Sequence, residues 1–168
     1  ERAFDEARAA LKALTAGGGG ALGEAALAVA MAASDAVDSA GGARAEELRR
    51  TTAVLQARAA LQRGAVGEAV AAAAEVLDGD ADQVAQTGWK VRFEALLVRG
   101  TALAESDDKA GAERDLSRAA TLAEAERDLN ALGRVANNLG MLAFHRGDLN
   151  AAADAWARAA EAKARTGD

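Results

Sequence analysis

The stretch Leu139-Gly140-Met141-Leu142-Ala143-Phe144-His145-Arg146-Gly147-Asp148-Leu149-Asn150-Ala151-Ala152-Ala153-Asp154-Ala155-Trp156-Ala157-Arg158-Ala159 decides the fold. It reads as the end of one helix, a turn and the start of another. Upstream of it, Leu132, Val135, Ala136, Leu139 and Ala143 recur at helical spacing and form one apolar face. Gly147 stands where that helix must stop, a place that favours positive φ. Asp148 or Asn150 can cap the next helix with a side-chain oxygen. Ala152, Trp156, Ala159 and Ala160 then give the second helix its apolar face.

The same pattern recurs upstream. Gly20-Ala21-Leu22-Gly23-Glu24-Ala25, Gly64-Ala65-Val66-Gly67-Glu68-Ala69, Asp107-Asp108-Lys109-Ala110-Gly111-Ala112 and Gly147-Asp148-Leu149-Asn150-Ala151-Ala152 align as turn signals, each followed by a periodic alanine. The alanines at 25, 69, 112 and 152 are spaced by 40 to 44 residues. A period near 40 is that of a stacked helical-hairpin repeat. Four units follow, at about 2–40, 43–79, 83–127 and 130–167, within a single repeat domain covering 1–168. Hairpin helices approach to roughly 8 Å only where the contact residues are small. Gly140 opposite Ala152, and Gly100 opposite Ala112, are expected to meet that need.

Composition agrees. Of 168 residues, 50 are alanine, the best helix former, and proline, the strongest helix breaker, is absent. Aromatics make up 3%, so the core must be built from small and aliphatic side chains. There is no cysteine, which excludes disulfides, thiolate zinc sites and cysteine nucleophiles. A single histidine excludes multi-histidine metal sites within this chain. The net charge of −6 argues against nucleic acid as a partner, because such binders carry a basic surplus. Uncharged stretches such as Ala13–Gly23 are about ten residues long, half of what a membrane-spanning helix needs. Sixteen arginines against four lysines, with the alanine load, suggest a GC-rich and bacterial coding sequence. The first residues, Glu1-Arg2-Ala3-Phe4-Asp5, are no signal peptide and lack an initiator methionine. A cytoplasmic fragment of a larger protein is the expectation.

These residues resemble the tetratricopeptide repeat. That family places a small residue in the first helix of its unit and a glycine in the turn, then an alanine, a large apolar residue and a second alanine in the second helix. Gly140, Gly147, Ala152, Trp156 and Ala159 match all five. Gly100, Ala112, Leu116 and Ala119 match four, with Asp107 in place of the turn glycine. Ala57, Gly64 and Ala69 match in the second unit, whereas Ala73 and Val76 are degenerate there; Ala13, Gly20, Ala25, Val29 and Ala32 match loosely in the first. The proline usual near the end of the unit is missing, and the period of 40 to 44 exceeds the family's 34. The likeness is to the longer-period bacterial type. It implies an all-α, right-handed solenoid of about four helical hairpins and eight helices.

The resemblance also implies a concave groove lined by the first helix of each hairpin. Its residues would be Arg134, Asn137, Asn138, Met141 and His145 in the fourth unit. The third unit would contribute Glu94, Leu97, Val98, Thr101 and Glu105, and the second Val54, Leu55, Arg58 and Gln62. Asparagine amides can bond a bound backbone as both donor and acceptor, and Arg134 can grip a carboxylate bidentately. The expected partner-binding set is Arg58, Val98, Thr101, Arg134, Asn137, Asn138, Met141 and His145. A full carboxylate clamp is not expected, because only Arg58, Arg134 and Asn138 are of the required types.

Other motifs read as structural. Asp78-Gly79-Asp80-Ala81-Asp82 begins like a calcium loop, but the template's glycine and glutamate positions hold Gln83 and Trp89. Gly17 to Gly20 lack the Gly-Lys-Ser/Thr continuation of a phosphate loop and read as a flexible turn. That turn makes the first unit the least stable of the four. His145 has no catalytic neighbour and reads as a surface residue near a helix end. Trp89 and Trp156 read as core.

The expected function is protein–protein interaction. A partner peptide, loop or helix would lie in the groove, and the fragment would serve as the regulatory or sensory part of a bacterial signalling protein. No catalysis, cofactor or metal is expected. The alternative is self-assembly: the fourth hairpin ends at Gly167-Asp168 without a polar capping helix, and an uncapped repeat end favours another copy, giving a homo-oligomer.

Overall fold

The computed structural model describes residues 42–78 and 87–167, together with position 9. Six helices lie among them: α1 (Ala43–Gln62), α2 (Val66–Leu77), α3 (Trp89–Glu105), α4 (Lys109–Ala125), α5 (Leu129–His145) and α6 (Leu149–Thr166). No described residue is in a strand, so the class is all-α. The first of the four units, its glycine run and most of the Asp78–Asp82 loop lie outside the described residues. The chain divides into two compact units, residues 1–98 and 99–168, with the boundary inside α3.

In the first unit α1 and α2 pack as a hairpin. Val54, Leu55 and Ala57 of α1, Val76 of α2 and Leu96 of α3 are almost wholly buried. At one contact Ala57, Ala73 and Val98 meet, with Leu61 and Ala72 beside them. Alanines on facing helices let the backbones approach, so little apolar bulk is needed to fill the space. Polar groups are buried here too. Arg50 donates from Nε to Glu46 at 3.1 Å and from Nη1 to the Thr87 hydroxyl, which ties α1 to the residues before α3. Glu94 is 1% exposed, and Arg58 reaches it at 3.4 Å. A buried carboxylate without such a partner would cost several kcal/mol.

In the second unit one turn is used repeatedly. Asp107, Arg127 and Gly147 each take the left-handed conformation, at φ of 68°, 53° and 79°. The residue after each, Asp108, Asp128 or Asp148, accepts a hydrogen bond from the backbone N–H three positions on, at 2.9 to 3.0 Å. That side chain satisfies one of the orphan donors at the start of the next helix. Behind Arg127 and Gly147 the preceding helix closes with the paired bonds of a Schellman motif. Arg127 N–H donates to Glu124 and Asp128 N–H to Ala123; Gly147 N–H donates to Phe144 and Asp148 N–H to Ala143. The turns fall every 20 residues, and the same turn serves within a hairpin and between hairpins. The 40-residue repeat read from the sequence is therefore two equal steps in this unit. In the first unit Gly64 (φ 73°) makes the corresponding turn, but Ala65 occupies the capping position and α2 has no side-chain cap.

Glycine is needed where these helices cross. A Cβ on Gly140 would lie 2.5 Å from the Trp156 indole nitrogen, and one on Gly100 would lie 2.9 Å from Leu116 Cγ. Ala112 stands opposite Gly100 as expected, its carbonyl 3.3 Å from that Cβ position, and at both crossings the large residue one turn after the periodic alanine fills the notch, because helical side chains lean back toward the N-terminus of their own helix. Next to Gly100, Arg99 forms a two-point pair with Asp115, at 2.6 and 3.1 Å. Asp115 is 4% exposed. At the outer edge Arg146 donates to Glu113 at 2.8 Å and to the Lys109 carbonyl at 2.7 Å, which fastens the α5–α6 turn to the start of α4.

Candidate functional site

The residues expected to line a groove separate into two groups. Val98 is 5% exposed and sits in the α1–α2–α3 core with Ala57 and Ala73, so it presents no surface to a partner. Val54, Leu55, Glu94 and Leu97, placed on the same face by the family's register, are also buried. Arg58 is half-buried and engaged with Glu94; its charge balances an internal carboxylate. These positions hold the first unit together. The register of the repeat placed them outward, whereas their aliphatic character and their contacts with α2 draw them inward.

In the second unit the placement differs. Thr101 is half-buried on α3. On α5, Arg134 and Asn138 are half-buried, and Asn137, Met141 and His145 are exposed. Residues 134, 137, 138, 141 and 145 follow the three-and-four spacing of one helical face, so they form a continuous row. Polar amides occupy its N-terminal half, and an apolar and aromatic end occupies the C-terminal half. Met141 is 42% exposed. His145, the last residue of α5, stands edge-to-face against Phe144 with ring centroids 6.0 Å apart.

Phe144 and Leu149 were missed from sequence. They are 50% and 63% exposed, and with Met141 they are the exposed large hydrophobic residues among those described. All three fall within nine residues, around a single turn. Phe144 lies off the apolar face defined by Leu132, Val135, Ala136, Leu139 and Ala143, and that mismatch was the available signal. Its ring leans on Trp156, centroids 6.0 Å apart, and Trp156 in turn closes over Gly140. The exposed ring is therefore supported from behind. A scattered exposed leucine needs no explanation, whereas three large apolar side chains around one turn are a feature of interaction surfaces.

Among the described residues no three of histidine, aspartate and glutamate converge as metal ligands. None of their helices is long and apolar enough to cross a membrane. The row on α5 offers amides, one guanidinium, one imidazole and an apolar end. Comparison with protein-family models, curated proteins and solved structures finds no match.

Proposed function

We propose that this chain is a tetratricopeptide-like interaction module that binds a segment of a partner protein along α5. The observation that carries the reading is the grouping of Met141, Phe144 and Leu149 as exposed apolar residues next to the Asn137–Asn138 amides. The apolar end would receive one or two hydrophobic anchors. Asn137 and Asn138 would bond the partner's backbone, and Arg134 would favour an acidic group beside it. The helices are held by paired caps and buried ion pairs before any partner arrives, so little ordering entropy remains on this side of the complex. A regulatory or sensory role in a bacterial, cytoplasmic signalling protein is part of the same proposal, and it rests on the family resemblance alone.

The test is selection of binding peptides from a random displayed library, followed by titration of the best binder into isotopically labelled protein. Shifts confined to α5 and the 146–149 turn, with affinity lost in Met141→Ser/Phe144→Ser, are the expected result. Binders that perturb other helices and ignore that double substitution would refute the proposed site.

A further inference from the structure

The outward face of α6 divides lengthwise into two halves. Leu149, Ala153, Ala157, Ala160 and Ala164 are exposed along one half, and Asp154, Arg158, Glu161 and Arg165 are exposed along the other. The inward face, with Ala152, Ala155 and Ala162, is buried against the rest of the unit. The order of the four charges is the informative part. Asp154 lies as far before the midpoint between Ala159 and Ala160 as Arg165 lies after it, and Arg158 and Glu161 flank that midpoint equally. Each charge is mirrored by its opposite. Such a pattern complements itself when a second copy of the helix runs antiparallel across a two-fold axis.

We infer that α6 is the homodimer interface of this chain, pairing with α6 of a second copy in antiparallel fashion about an axis near Ala159 and Ala160. In that arrangement Asp154 meets the second copy's Arg165, and Arg158 meets the second copy's Glu161. Symmetry makes each pair twice. Ala153, Ala157, Ala160 and Ala164 supply the seam: side chains no larger than a methyl let two helices approach to about 8 Å. The four charges are available for this role. Asp154 and Arg158, and likewise Glu161 and Arg165, are spaced to pair within the helix, yet none of the four makes an ion pair among the described residues. At the other seams of the unit the charges are already used, Arg99 with Asp115 and Arg146 with Glu113. The interface uses α6 charges that the α5 reading does not need; Leu149 alone is common to both surfaces, and a dimer that persists in Met141→Ser/Phe144→Ser separates the two inferences.

The test is sedimentation equilibrium of the full chain over a wide concentration range. The mass is expected to climb from 17.0 kDa toward twice that value, and less steeply at high salt. Asp154→Arg sets arginine against arginine at both symmetric places and should weaken association by about tenfold. Adding Arg165→Asp to it recreates both pairs with reversed sign and should restore the dimer. A mass fixed at 17.0 kDa at every concentration would overturn the inference, as would a dimer indifferent to Asp154→Arg or a double variant no better than the single. Far-UV circular dichroism checks that the variants keep their helices. Because the chain has no cysteine, a second measurement is independent of any charge change. Ala160→Cys places two thiols beside the axis and should yield an oxidised dimer. Ala153→Cys places them roughly 20 Å apart along the helices and should not. Equal cross-linking of both would also refute the axis.

Discussion

Arg127→Gly should stabilise the second unit, although it removes a side chain. Arg127 adopts φ 53°, and its neighbours in the repeating turn show what the backbone wants there, since Gly147 occupies the equivalent position. A residue with a Cβ pays about 1–2 kcal/mol in the left-handed region. Glycine brings an opposing entropy loss on folding of about 0.5–1 kcal/mol. The difference leaves a gain of about 0.5–1 kcal/mol. The Arg127 side chain is exposed and makes no ion pair among the described residues, so nothing else is subtracted. For a chain of this size such a gain raises the melting temperature by about 2 °C. The assay is urea unfolding followed by Trp156 fluorescence in a Trp89→Phe background, so that one indole reports on the second unit alone. The midpoint should rise with an unchanged slope. The converse, Gly147→Arg, should cost about 0.5–1 kcal/mol. A destabilising Arg127→Gly together with a neutral Gly147→Arg would refute the assignment of one turn geometry to both places.

Three further outcomes follow from the same contacts. Ala65→Asp should add the cap that α2 lacks and that Asp108, Asp128 and Asp148 provide elsewhere, stabilising the first unit by about 1 kcal/mol in thermal unfolding. Asp115→Ala should destabilise by about 3 kcal/mol, because it removes a two-point pair with Arg99 at a site that is 4% exposed; a loss under 1 kcal/mol by denaturant titration would show that the pair contributes little. Gly140→Ala should cost about 1–3 kcal/mol, since the new methyl would overlap the Trp156 ring, and a red shift in Trp156 emission should accompany it.

Much of the helical pattern was legible because glycine and aspartate advertise their roles. Gly147 followed by Asp148 signals a left-handed stop and a cap together, and both are found. Arg127 carries no such signal, so the turn between α4 and α5 was not recognised as the same device and the 20-residue step stayed hidden inside the 40-residue repeat. The burial of Glu94 was not legible either. A glutamate on a helix ordinarily faces water, and the proximity of Arg58, 36 residues away in sequence, helps make its interior position tolerable. The candidate site was half legible. The row from Arg134 to His145 came from the register that the repeat resemblance implies, whereas carrying the same register to Val98 ignored the cost of leaving a valine in water.

The recurring turn makes the joints of the second unit interchangeable, but its seams are not. Excising residues 109–148 would join Asp108 to Leu149 and leave an intact turn, with Gly100 brought to the place of Gly140 and facing Trp156. Arg99 would then stand against Ala155, the residue 40 positions beyond Asp115, and its two-point pair with Asp115 would be lost. A recombinant that shuffled these hairpins would preserve every bend in the backbone and still lose its fit. Which hairpin may follow which is written in the paired side chains at each crossing, and the loops leave that choice open.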